Sequence, residues 1–275
     1  MNELLALKLA AVVLVFAAGM VGGLLPWRVA ATKRSQTYLG WGNAFAGGVL
    51  LAAGLIHLLG DAVEGFDGLW PDVDYPWAFT IAAGSFLLIL GIERVLPRTS
   101  RAPVGSSQLD TGDPEADSIV AAAEDAKTYP YLLLLTLSIH SIIAGMALGA
   151  QQSLAGFIII VIAILAHKSA AGFALGVSLH RIGMNLKRAR SLILGFSVMT
   201  PIGIIAGTGI AALLDSTGEQ VFEALFDAIA AGTFIYIASL DIIREEFLPP
   251  RTDRRIKWVW AAIGLTLMAV VAIWT

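Results

Sequence analysis

His140-Ser-Ile-Ile-Ala144-Gly145-Met-Ala147-Leu148-Gly149 and His167-Lys-Ser-Ala-Ala171-Gly172-Phe-Ala174-Leu175-Gly176 agree at six of ten positions, the histidine included. Each stretch lies in an apolar run, one over about 130–150 and the next over about 155–179, and only a short uncharged turn near 151–154 joins them. Two consecutive spans of this kind cross in opposite directions, so the repeated pattern is inverted. A weaker echo links Ala46-Gly47-Gly48 before His57 with Ala230-Ala231-Gly232 before Asp241, the polar residue standing eleven positions after the first Ala in both. Inverted repeats are a transporter signature and place the ion site near the midplane, where the repeats meet.

Working outward, further apolar runs cover about 4–26, 40–60, 77–96, 191–214, 221–243 and 256–274. A helix needs roughly 20 residues to cross the hydrocarbon of a bilayer, and each run reaches that length. With 57% hydrophobic and 14% charged residues, a water-soluble domain could not hide the apolar surface. The expected fold is therefore all-α and polytopic, with eight transmembrane helices in a 3+2+3 arrangement of inverted repeats. Residues 1–275 form one transmembrane transporter domain in this reading, and little chain is left for a soluble catalytic module, so no enzyme is expected. The first run ends in Pro26-Trp27-Arg28 rather than at a small-residue cleavage site, which predicts a retained helix. With no cysteine in the chain, disulfides and thiolate metal sites are both excluded.

Lys and Arg follow the odd-numbered spans: Arg28 and Arg34 after the first, Arg94 and Arg98 after the third, Arg181 and Lys187 after the fifth, Arg251 and Lys257 after the seventh. The connection after the second span instead carries Asp61, Glu64, Asp67, Asp72 and Asp74. The positive-inside rule then puts both termini on the non-cytoplasmic side of what is expected to be the plasma (inner) membrane, as an even number of spans requires. Residues 98–128, rich in Ser, Pro, Gly and acids, are predicted to be a mobile cytoplasmic loop, with a short surface helix over Ala116–Lys127.

Three of the four histidines, His57, His140 and His167, fall inside apolar runs. Ionisable groups at that depth are costly and mark ion pathways or relays. Imidazole suits zinc and its first-row neighbours, and carboxylates from other helices can complete a transient site. His57, Asp61 and Glu64 stand at i, i+4 and i+7, so they share one helical face leading to the non-cytoplasmic side, with Glu64 nearest the solvated helix end. Asp241 is a candidate deep ligand, and Glu245 and Glu246 form an exit or pair with Arg244. Lys168 either occupies the place of a second cation or pairs with Asp241 or another acid, and both roles favour one metal per site. Pro201 lacks a backbone donor and is expected to break the sixth span, as a hinge or for packing. The glycines are read as points of close helix approach.

At these motifs the chain resembles the ZIP family of divalent metal transporters, over nearly its whole length. His140-Ser141 with Gly145-Met-Ala-Leu-Gly149 resembles the family's fourth-helix signature, and His167-Lys168 with Phe173-Ala-Leu-Gly176 its fifth. Phe45-Ala-Gly-Gly-Val-Leu-Leu-Ala with His57, Met199-Thr-Pro-Ile-Gly203, and Ala230-Ala-Gly-Thr-Phe-Ile-Tyr-Ile with Asp241 resemble helices two, six and seven. The resemblance implies uptake of zinc, or of iron or manganese, toward the cytosol through a site built mainly on helices four and five, often in a homodimer. The metal is then substrate, no prosthetic group is expected, and the partners are the metal ion and the lipid bilayer, with no nucleic acid. In this reading the metal residues are His140, His167, His57, Asp61 and Asp241; Ser141, Lys168, Glu64, Glu245 and Pro201 line or tune the pathway.

The chain departs from the family where an acid usually follows the fourth-helix histidine by four residues, because Ala144 stands there, and Ala171 stands at the equivalent place in helix five. That loss of charge makes a non-transporting or metal-sensing relative one alternative. A membrane-embedded zinc hydrolase is another; it would need three histidines holding the metal and a water-activating group, and no His-Glu-x-x-His occurs.

Overall fold

A backbone crossing hydrocarbon must satisfy its own N–H and C=O groups, and a helix does this within one segment. The computed structural model describes residues 2–32, 34–94, 114–210, 216–248 and 253–274, and among them every long element is helical. Eight rods follow one another: α1 (Asn2–Ala30), α2 (Ser35–Leu69), α3 (Trp77–Arg94), α4 (Pro114–Ala150), α5 (Leu154–Arg181), α6 (Leu186–Ile210), α7 (216–247) and α8 (Arg254–Val271). Six of them are long and apolar enough to cross a membrane, Trp77–Ile92 of α3 is a shorter apolar stretch, and α8 opens on Arg254, Arg255 and Lys257 before its apolar run. Large apolar side chains cover the outside, with Val21, Leu87, Ile205 and Ile273 each more than 60% exposed. Such a surface belongs against lipid.

Two expectations change. Of the predicted loop, residues 98–113 lie outside the described residues, whereas from Pro114 the backbone is already helical and continuous with α4. The segment 116–127 has five Ala among its twelve residues and contains no Gly or Pro, so nothing in it stops a helix. Pro201 does not break α6, which runs unbroken from Leu186 to Ile210. Transmembrane helices tolerate such a proline because neighbouring groups satisfy the backbone it frees.

The packing repeats as the sequence does. Apart from α2 against α7, the most extensive contacts are α4 on α6, α1 on α5, α2 on α8 and α3 on α7. Exchanging helix one with six, two with seven, three with eight and four with five turns each pair into another of the four, which is the contact pattern of a 3+2+3 inverted repeat. The correspondence reaches single residues. α2 passes through a π-helical turn at Ala53–Leu58 and α7 through another at Ile237–Ile243. Each begins seven residues after the Ala that opens the shared motif, and each carries its polar residue, His57 or Asp241, at its fifth position. π-turns inside α-helices are rare and concentrate at functional sites.

Glycine sets how close these helices come. A Cβ added at Gly48 of α2 would land on the Ala261 carbonyl oxygen of α8, and one at Gly232 of α7 on the Ala82 carbonyl oxygen of α3. These two positions are repeat mates, so the same backbone-to-backbone contact is used twice. Small residues permit this approach, and van der Waals contact then holds helices together where lipid offers no hydrophobic drive.

One polar cluster joins α2, α5, α7 and α8. The Glu246 carboxylate, fully buried, accepts from Lys257 Nζ at 2.6 Å, from Asn43 Nδ2 at 3.0 Å and from the Arg181 guanidinium. Arg181 Nη1 also lies 2.9 Å from Glu245 Oε1. The partner of these acids is thus Arg181 of α5 rather than Arg244, because the end of α7 packs with Glu246 turned inward while Arg244 stays exposed. Desolvating two cations and a carboxylate costs several kcal/mol per ion, and only dense pairing of this kind offsets it.

Two outcomes follow for the melting of the purified protein in detergent. Gly48→Ala and Gly232→Ala each lose about 1–3 kcal/mol through overpacking, while Gly84→Ala, where a Cβ meets nothing within 4 Å, stays within about 0.5 kcal/mol of the parent. Glu246→Ala strands two cations and loses about 3–5 kcal/mol. Glu245→Ala, at a side chain 42% exposed, changes stability by less than about 1 kcal/mol.

Candidate functional site

Helices four, five and seven each send a ring to one point in the bundle. The His140 and His167 ring centroids lie 5.6 Å apart, and Phe234 of α7 closes the group at 3.9 Å from His140 and 5.5 Å from His167. His140 is 4% exposed and His167 3%. Neither ring nitrogen of His140 has a hydrogen-bond partner, nor does Nδ1 of His167. A buried polar atom left unpaired normally costs free energy, so three at one place mark a site kept ready for something else. The spacing arises from the repeat, since α4 and α5 present equivalent positions of the same ten-residue motif.

Both histidines line a cavity of about 300 Å³ whose wall comes from α2, α4, α5 and α7. Gln151 and Gly156, at the connection between α4 and α5, stand at its mouth together with Gln220 and Glu223 from the start of α7. His57 and Asp61 of α2 line it deeper, with Asp61 Oδ2 2.9 Å from His57 Nδ1, a contact out of line for a hydrogen bond. Ala144 is in the same wall, so the place of the missing fourth-helix acid faces the cavity.

Beneath the histidines the space closes to a void of about 10 Å³ lined by Ser141, Lys168, Ala171, Thr200 and Phe234 as well as the two rings. That is the smallest volume that holds one water. Lys168 forms the floor. Its Nζ donates to Ser141 Oγ at 2.8 Å and to the Phe196 carbonyl at 3.2 Å, and it lies 3.6 Å from the centroid of the Phe196 ring. Ser141 Oγ in turn donates to the Leu137 carbonyl at 2.6 Å. Among the described residues no carboxylate pairs with Lys168, so the expected partnership with Asp241 is not formed; carbonyl, hydroxyl and ring hold the ammonium instead.

The structure thus brings His57, Asp61, His140 and His167 to one cavity, with Ser141 and Lys168 directly below. Glu64 is exposed and lines neither space, Gly65 taking the wall at that level. Asp241 is buried in its π-turn but lines neither space, and Glu245 belongs to the Arg181 cluster. Pro201 is buried in α6 beside Thr200, which reaches the lower void. Among the described residues no three His, Asp or Glu side chains converge closely enough to hold a metal ion as they stand. The arrangement is a lined path with separated donors, unlike the closed cages of structural zinc sites.

Two wall residues went unrecognised in the sequence, Glu223 and Asp227 of α7. The signal for Asp227 was present: it interrupts Phe222-Glu-Ala-Leu-Phe-Asp227-Ala-Ile-Ala within an apolar run and stands at i, i+3 and i+7 with Ala230 and Phe234. Attention to the repeat favoured Asp241 in its place.

A family model described as "ZIP Zinc transporter" matches residues 5–118 and 101–272. "Zinc transporter ZIP2" of Mus musculus is 28% identical to this chain, the alignment covering 97% of this chain and 96% of that protein. "Zinc transporter 11" of Arabidopsis thaliana is 28% identical over 99% of this chain and 86% of its own length. "Zinc transporter ZIP1" of Mus musculus is 29% identical over 96% and 90% respectively. With the eight-helix inverted repeat and the paired helix-four and helix-five histidines already in place, matches spanning nearly the whole sequence show that the chain belongs to the ZIP family of zinc transporters.

Proposed function

We propose that this protein carries zinc ions across the membrane toward the cytosol, through the cavity between α2, α4, α5 and α7, with His140 and His167 as its inner ligands. The observation that carries the reading is the pair of buried imidazoles from repeat-related helices, facing one cavity with three nitrogens unpaired. Neutral imidazole is a good donor to Zn²⁺ and a poor one to the hard, strongly hydrated Mg²⁺ and Ca²⁺. Two such ligands without a third hold the ion loosely, which suits a carrier that must also release it. The relatives are named for zinc, and nothing in the cavity favours iron or manganese.

The basic connections follow α1, α3, α5 and α7, and the positive-inside rule puts them in the cytoplasm. The cavity mouth lies at the opposite end, with the α4–α5 turn and the start of α7, so in this reading it faces outward and both termini share its side. A hydrated ion enters there, exchanges water for imidazole at His140 and His167, and stops above Lys168. A fixed ammonium at the floor disfavours a second cation and limits occupancy to one. Inward passage then requires the helices around the void to part, one repeat moving against the other. We read the whole chain as one such transport domain in the plasma membrane. A hydrolase would need a tightly held ion and an aligned base; two histidines with Ala144 and Ala171 beyond them supply neither.

Uptake of radioactive zinc into proteoliposomes tests the reading. His140→Ala and His167→Ala each lower uptake by at least about tenfold, whereas Glu64→Ala, outside both spaces, changes it less than about twofold. Equal rates in the parent and both histidine variants would remove the assignment. Ala144→Glu restores an anion one turn from His140 and lowers the apparent KM severalfold; an unchanged KM counts against that geometry.

A further inference from the structure

The eight helices fall into two sets. α2, α3, α7 and α8 pack chiefly on one another, as do α1, α4, α5 and α6, and the cavity takes two wall helices from each set. α5 starts beside the cavity mouth, where Gly156 lines the wall, passes through His167 and ends at Arg181, a further fourteen residues and about 21 Å along its axis. The cluster around Glu246 therefore stands at the end of the bundle away from the mouth. An ion that enters at the mouth can leave at the other end only if the two sets part there.

Within that cluster the contacts are of two kinds. Asn43, Lys257 and both acids belong to α2, α8 and α7, so the Lys257–Glu246 pair at 2.6 Å and the Asn43–Glu246 bond at 3.0 Å lie inside one set, and both members of that ion pair are fully buried. Of these residues only Arg181 comes from the other set. Its side chain is 19% exposed, and Glu245, 2.9 Å from Nη1, is 42% exposed. Withdrawing the guanidinium therefore returns it to water and leaves Glu246 neutralised by Lys257, whereas withdrawing Lys257 would strip a buried pair. The face of α5 that carries Arg181 is also the face laid on α2. Phe173, Val177 and Arg181 stand at i, i+4 and i+8, the Phe173 ring lies where a Cβ on Gly42 of α2 would meet it at 2.5 Å, and Val177 is fully buried.

We propose that Arg181 is a releasable latch: its contact with Glu245 and Glu246 holds α5 against α2 and α7 and keeps the end opposite the mouth shut, and its release lets that seam open. The inference rests on the transport reading above, in which this end faces the cytoplasm. One guanidinium shared by two acids makes several charge-assisted hydrogen bonds while the seam is closed. On opening, the charges of Arg181 and Glu245 go to water, and the Glu246–Lys257 pair stays in place to hold α7 on α8. Lys257 is thus the fixed half of the cluster and Arg181 the moving half.

The test exploits the absence of cysteine from the chain. Val177→Cys in the full-length protein puts a single thiol in the seam, and its labelling by a membrane-impermeant maleimide, added on the cytoplasmic side of inverted membrane vesicles, reads how often the seam opens. Adding Arg181→Gln is expected to raise that labelling rate about tenfold. Arg181→Lys, which keeps the charge, gives a smaller rise, and Glu245→Gln, which leaves Arg181 on Glu246, raises the rate about twofold to threefold. Labelling from the opposite side stays at the parental rate in all three. Parental labelling in Arg181→Gln and Glu245→Gln would overturn the latch, as would an equal rise from both sides, which marks general loosening. If Arg181→Gln does not fold, parental labelling in Glu245→Gln overturns it alone. Zinc uptake separates this from the ligand assignment: His140→Ala loses uptake with labelling unchanged, whereas full uptake in both histidine variants would remove the ligands and leave the labelling to decide the latch.

Discussion

Lipid gives helices no hydrophobic reason to associate, so their association rests on how closely one backbone can approach another. In this protein that approach is made at glycine facing carbonyl oxygen, at Gly48 against Ala261, Gly232 against Ala82, Gly149 against Ile204 and Gly176 against Gly23. The contacts occur as repeat-related pairs, one set between α2 and α8 and its mate between α7 and α3, another between α4 and α6 and its mate between α5 and α1. A Cβ at any of them would push two rods apart. The positions of the histidines follow from this, because α4 and α5 can bring equivalent faces to one point only while their other faces are held tightly to α6 and α1.

The same solvent sorts the polar groups into two kinds. Those at Glu246 are saturated: carboxylate, guanidinium, ammonium and amide satisfy one another, and the cluster ties α2, α5, α7 and α8 at one end. Those at the cavity are left open. Three imidazole nitrogens of His140 and His167 lack partners there. Burial alone does not separate these cases, since Glu246 and His140 are both deep. What separates them is whether the protein itself completes the group. Lys168 stands between the two kinds, held by a hydroxyl, a carbonyl and a ring that together stabilise an ammonium without neutralising it.

Much of this was legible along the chain. Eight rods lie where eight apolar runs predicted them, and the faint likeness between Ala46–His57 and Ala230–Asp241 returned as two π-turns in matching register. The convergence of His57, His140 and His167 on one cavity was foreseeable from their depth and from the repeat. Asp227 shows where that reasoning ran short. A symmetry argument selects Asp241 because it is the mate of His57, yet the cavity is asymmetric: α7 lines it with its earlier turns, from Gln220 to Ala230, and not with its π-turn.

What the sequence by itself determined is therefore everything governed by local hydropathy and spacing: the number of helices, their alternating direction, the inverted repeat, and the depth of each histidine. Only the tertiary structure decided which faces meet. It placed Asp61 and Asp227 in the wall of one cavity, turned Glu246 toward Arg181 and Lys257 rather than toward Arg244, and seated Lys168 on Ser141 and Phe196 rather than on an acid. The physical reason is that helical periodicity tells which residues share a face but not which face another helix will cover. That choice is made by backbone contacts between helices far apart in the chain, and it carries every side chain of the face along with it.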